Sequence, residues 1–176
     1  MYLSLLDAYE LVRDFMERGG PVLLVIFFTI LILWAMVLER LIYFKTAHNR
    51  QVNEVMGTWE ARSERTSWYA HKIREAMISQ INMDLRGSLS HIKTLVAVIP
   101  LMGLLGTVWG MIEVFDVLAV LGSANVKAMS AGISKATIPT MAGMVGALSG
   151  VFASSYIEGR VRKEAELVED HLTMDH

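Results

Sequence analysis

The chain contains no cysteine, so neither a disulfide framework nor a thiolate metal site is open to it. Proline is almost as scarce: three among 176 residues, Pro21, Pro100 and Pro139. Charge is thin as well. Asp, Glu, Lys and Arg make up 19% of the chain, less than in typical soluble domains, and they are segregated from the apolar runs. A formal net charge of -2 gives no reason to expect a nucleic-acid partner. Catalytic patterns are missing too. The apolar runs hold no nucleophile–base pair and no metal set, and His48, His71 and His91 follow no HExxH-like spacing. No enzyme, metal or cofactor is therefore expected. The N-terminus, MYLSLLDAYELVRDFMERGG, has no basic n-region, and no A-x-A-like site follows the first apolar run. It reads as a retained segment, not a cleaved signal.

What is present is apolar: 53% of the residues are hydrophobic. Pro21–Leu38 (PVLLVIFFTILILWAMVL) carries no charge and is about 27 Å long as a helix. Gly19 and Gly20 break the chain before it, and its Leu, Ile and Phe content suits it to face lipid. A second run, with the core LVAVIPLMGLLGTVWGMI, follows from Leu95, and a third covers roughly Met129–Ile157. The third, SAGISKATIPTMAGMVGALSGVFASSY, is long enough to cross a bilayer, yet is rich in small and polar residues. Such a helix packs among other helices or lines a water path.

The expected fold is an all-α integral membrane protein. Residues 1–20 form an outer interfacial amphipathic helix, 21–43 the first span and 44–93 a cytoplasmic helical segment. The second span is 94–121, the third 129–157, and 158–176 a cytoplasmic tail. Arg40, Lys45, Arg50, Arg62, Arg65, Lys72, Arg74, Arg86 and Lys93 lie between the first two spans. Arg160, Arg162 and Lys163 follow the third, and only Lys127 lies between the last two. The positive-inside rule then puts the N-terminus outside and the C-terminus inside.

Two stretches carry a resemblance. IPLMGLLGTVWGMIEVF (Ile99–Phe115) is similar to the G-L-x-G-T-V-x-G stretch of the ExbB/TolQ/MotA family. AGISKATIPTMAGMVGAL (Ala131–Leu148) is similar to that family's G-I-x-E-A-L-x-x-T-x-x-G-L stretch. Both fall in order on the second and third spans, and the short ExbB form is the nearest match. The resemblance implies a proton-channel subunit of the bacterial inner membrane, with a periplasmic N-terminus. It implies a homopentamer around an ExbD-like subunit that supplies a membrane Asp. Coupled to a TonB-like protein, such a complex drives outer-membrane import of iron-siderophore complexes, haem or vitamin B12. A TolQ-like subunit of a Tol-Pal type complex and a non-conducting scaffold are the alternatives. By the same resemblance Thr107 and Thr140 line the pore; a hydroxyl can donate and accept.

One residue departs from the family pattern: Lys135 stands where Glu is common. Five lysines around a pore would repel protons. Glu113 lies about 9 Å of helix beyond Thr107, and Lys135 about 7.5 Å before Thr140. A pore-entrance charge pair between Glu113 and Lys135 is therefore expected, with Asp116 a second candidate partner and snorkelling of Lys135 to headgroups a third outcome. Either threonine would also serve as an ordinary hydrogen-bonder between helices. Gly103, Gly106 and Gly110 on the second span, and Gly143, Gly146 and Gly150 on the third, are read as close-packing positions, with Ala142 and Ser154 extending the small-residue face.

Overall fold

The computed structural model describes residues 2–61, 64, 67–121 and 126–171, without the side chains of 2–9, 47–49, 121, 126, 128 and 171. Four helices follow in order: α1 (Tyr2–Glu60), α2 (Trp68–Arg86), α3 (Leu89–Leu121) and α4 (Val126–His171). Three helical runs are long and apolar enough to cross a membrane: Glu10–Glu60, Trp68–Val120 and Met129–Asp170. The middle run joins α2 to α3, because Gly87 between them keeps right-handed helical angles (φ -48°, ψ -54°).

Helix α1 is interrupted once, at Gly20 (φ 68°, ψ -169°). The residue before a proline is pushed out of the α region, and only glycine tolerates this pair of angles without strain. Gly20-Pro21 thus sets a kink between the amphipathic start and the apolar run. Pro100 and Pro139 lie inside α3 and α4 without ending them. Gly57 is also absorbed, inside α1 with nothing near it. Helix α2 starts at a two-way cap: Ser67 Oγ accepts from the Ala70 amide at 3.3 Å, while the Ser67 amide donates to Glu64 Oε1 at 2.8 Å.

The chain forms two compact units, Met1–Leu33 with Thr94–Val151, and Trp34–Lys93 with Phe152–His176. The first buries Leu23, Ile26, Leu33, Ile99, Val114 and Ala136. Its outer faces carry exposed Phe27, Phe28 and Leu31 on α1, Leu101, Leu105 and Ile112 on α3, and Met141, Met144 and Leu148 on α4. An apolar surface of this extent calls for hydrocarbon or further helices. Lipid-type residues are thus not confined to α1. Helix α4 has a small-residue face turned inward and a Met/Leu face turned outward.

The second unit buries Val37, Trp59, Ile81, Leu85, Ile157 and Val168. A polar chain crosses it: Tyr43 Oη donates to Gln51 Oε1 (2.9 Å), and Gln51 Nε2 donates to Asp84 Oδ2 (2.6 Å). Arg74 Nη2 donates to the Glu169 carbonyl at 3.0 Å. Arg40 is buried, with its guanidinium 4.9 Å from the centre of the Tyr43 ring.

Candidate functional site

The site is built where α3 meets α4 inside the first unit. A Cβ added at Gly103 would stand 3.1 Å from Thr140 Cα, and one added at Gly143 would stand 3.1 Å from Gly103 Cα. One added at Gly110 would stand 2.5 Å from Ala136 Cα, and one at Gly106 would run into Pro139. Contact positions rise along α3 as they fall along α4, so the two helices are antiparallel and their backbones nearly touch. Glycine at three- and four-residue spacing allows this approach. Gly146 faces Ile30 of α1; a Cβ on Gly150 would stand 2.7 Å from both Leu33 and Val96. All six glycines singled out for packing therefore lie at helix–helix contacts.

The two threonines sit in this seam. Counted from the Gly106–Pro139 contact, Thr107 and Thr140 are each one residue on along antiparallel helices, about 3 Å apart in depth. Thr140 Oγ1 donates to the Gly103 carbonyl across the seam at 2.8 Å. Thr107 Oγ1 donates to the Leu104 carbonyl of its own helix at 2.6 Å. A carbonyl only accepts, so both hydroxyl protons are engaged and what each threonine has left is lone pairs. Both side chains are half-buried.

Glu113 and Lys135 come together: Lys135 Nζ lies 2.6 Å from Glu113 Oε2, with the side chains 36% and 37% exposed respectively. The other carboxylate oxygen accepts from Trp109 Nε1 at 3.1 Å. Asp116 stays exposed, and Lys135 turns to Glu113. The α1 kink belongs to the same layer, since a Cβ on Gly20 would stand 3.0 Å from Lys135 Cε. Sequence reasoning missed Trp109 and Gly20 as parts of this arrangement. The four-residue spacing of Trp109 and Glu113 on one helix face was the available signal. Thr29 was missed too; its hydroxyl donates to the Val25 carbonyl at 2.8 Å and approaches Met102 Sδ at 3.8 Å.

Among the described residues no group of three or more His, Asp or Glu could hold a metal ion. His71 pairs with Glu75 at 3.3 Å and His91 is exposed. The side chains of His48, His171 and His176 lie outside the described residues.

Long apolar helices that approach through glycine, with hydroxyls and one ion pair in the seam, define a polytopic helical membrane protein. The family described as the MotA/TolQ/ExbB proton channel family matches residues 41–170, and the chain belongs to it. It is similar to the biopolymer transport protein ExbB of Xanthomonas campestris pv. campestris (strain B100). The two are 27% identical over 110 residues, 62% of this chain and 43% of that protein. It is also similar to the Tol-Pal system protein TolQ of Pseudomonas aeruginosa, 34% identical over 83 residues, 47% of this chain and 36% of that one. A putative biopolymer transport protein ExbB homolog of Methanothermobacter thermautotrophicus is 37% identical over 96 residues, 54% of this chain and 33% of that protein. The chain thus spans less than half the length of each of these relatives.

Proposed function

We propose that this chain is the ExbB-like subunit of a two-component proton channel in the bacterial inner membrane, with its N-terminus periplasmic and its C-terminus cytoplasmic. Five copies surround the membrane helix of an ExbD-like partner. The proton current energises a TonB-like protein for outer-membrane import of iron-siderophore complexes, haem or vitamin B12. The subunit is not an enzyme: it moves a proton and makes or breaks no other bond.

The observation that carries the reading is the pair of threonines at nearly one depth whose hydroxyl protons are already engaged. Lone pairs on a pore wall suit a passing hydrated proton, or the protonated carboxyl of a partner Asp, because each brings the donor that the wall lacks. The Glu113–Lys135 contact supports the same reading. With Glu113 beside it, Lys135 adds no net charge to each copy's share of the entrance, so a ring of copies does not raise a cationic barrier.

The test is proton flux into liposomes holding this protein with its ExbD-like partner. Flux is expected from the pair and from Thr140→Ser, and not from the protein alone, from a partner with its membrane Asp neutralised, or from Thr140→Val. Undiminished flux and uptake with Thr140→Val in an assembled complex would favour a scaffold in place of a channel wall. A second reading, a TolQ-like subunit, rests on the similarity to the P. aeruginosa protein. Complementation separates the two: rescue of a strain lacking its Tol-Pal channel subunit, without rescue of siderophore uptake, would favour it.

A further inference from the structure

A cleft of about 410 Å³ opens between the end of α2, the start of α3 and the part of α4 beyond Ile157, within the second unit. Its floor is apolar: Leu89 and Val161 are 7% and 3% exposed. Its rim is cationic. Lys93 is engaged by Glu158 at 2.8 Å. Arg86 and Arg162, on opposite sides, have no carboxylate partner among the described residues. Glu158, the one carboxylate of the cleft, lies in the combined field of Lys93, Arg162 and Arg86. Three cations against one anion leave two positive charges without a counter-charge.

The sequence sets the depth of this cleft. Lys93 comes immediately before the apolar run of α3, and Glu158 immediately after that of α4. Tyr156, two residues before Glu158 along α4, is exposed, with the Arg160 guanidinium 5.9 Å from its ring centre. An aromatic ring with a basic neighbour marks the headgroup layer of a bilayer. Arg40 adds a buried cation at the same end of α2: its Nη2 lies 3.1 Å from where a Cβ on Gly87 would stand, and its Nε has no hydrogen-bond partner.

We infer that this cleft binds the headgroup of an anionic phospholipid, with Arg86 and Arg162 holding its phosphodiester and Leu89 and Val161 lying under its glycerol. Guanidinium groups match phosphate oxygens in a bidentate way, and a desolvated apolar floor strengthens the contact. A zwitterionic headgroup would bring its own ammonium into a positive cleft. A headgroup with one net negative charge, such as phosphatidylglycerol, would not, so the site discriminates between them. Basic residues that are merely solvated at the membrane boundary have no reason to converge over a buried apolar floor.

The experiment is thermal unfolding of the full chain in a nonionic detergent, with phosphatidylglycerol or phosphatidylcholine added at equal mole fraction. Phosphatidylglycerol is expected to raise Tm further than phosphatidylcholine, by about 2–4 °C. That gap should close in Arg86→Gln/Arg162→Gln. It should persist in Lys45→Gln/Arg50→Gln, which removes the same charge from exposed positions on α1. No gap in the wild type, an equal gap in the arginine variant, or an equal loss in the control pair would overturn the inference. So would an equal shift from inorganic phosphate alone, which would assign the cleft to a free anion. If the arginine variant does not fold, native mass spectrometry of the wild type decides. About fivefold preferential retention of phosphatidylglycerol over phosphatidylcholine supports the site, and equal retention removes it.

Discussion

Gly110→Ala inserts one methyl group into the tightest backbone approach of the α3–α4 seam. The new carbon would stand 2.5 Å from Ala136 Cα, 2.6 Å from its Cβ and 2.9 Å from its amide nitrogen. Carbon atoms rest at about 3.5–4.0 Å. Two of the three obstacles are backbone, so no rotamer change removes the clash and the helices must part by about 1 Å. A gap of that size forfeits a quarter to a half of each neighbouring dispersion contact, and overpacking of this kind costs about 1–3 kcal/mol. Alanine also gains about 1 kcal/mol over glycine as a helix former, which would blur the result for one variant taken alone. Gly57→Ala supplies the correction: Gly57 is inside α1 with nothing within 4 Å of the added carbon, so only the helix-forming gain applies. The two variants should therefore differ by the overpacking cost, several degrees in Tm for a chain of this size. Thermal unfolding in detergent measures the difference, and flux in liposomes should fall for Gly110→Ala alone. If the two variants melt together, the antiparallel seam is not as close as described.

Two further outcomes follow from the charged layer. The losses of Lys135→Ala and Glu113→Ala, added together, should exceed the loss in the double variant. The coupling should be near the exposed-pair range of about 0.2–1 kcal/mol, since both side chains keep over a third of their surface. Strict additivity in that double-mutant cycle would show that the contact does not hold. Gly20→Ala places a side chain at φ 68° and ψ -169°, which costs about 1–3 kcal/mol, and sets a methyl group 3.0 Å from Lys135 Cε. The lysine end can swing away, so the backbone supplies most of the loss; a neutral Gly20→Ala would mean that α1 runs straight.

Much of this arrangement was legible in the sequence, because each spacing has a mechanical meaning. The charge-free run Pro21–Leu38 and the two runs after it read as spans from length and apolar composition. Similar offsets of Glu113 and Lys135 from the two threonines, six and five residues, put them near one level, and they meet there. Hydrogen-bond direction was not legible. The threonine hydroxyls commit to carbonyls whose availability depends on local helix geometry, which residue types do not encode. The outward face of α4 was hidden for another reason. Averaged along the helix, small and polar residues mask the exposed stripe of Met141, Met144 and Leu148, which emerges only when the two sides are separated. Gly20 was recognised as a break, but its place beside Lys135 depends on the third helix in that layer.

The committed hydroxyls have an electrical consequence. A wall that offers lone pairs and withholds its protons stabilises positive charge and repels negative charge, however narrow or wide the water path beside it. Chloride would find no donor at Thr107 or Thr140 unless a hydroxyl first left its carbonyl. In the proposed channel, discrimination between cations and anions is thus set by two backbone carbonyls that no ion touches. In such a channel, waters at that level would turn their hydrogens toward the wall, and an arriving proton would meet a file already polarised in its favour.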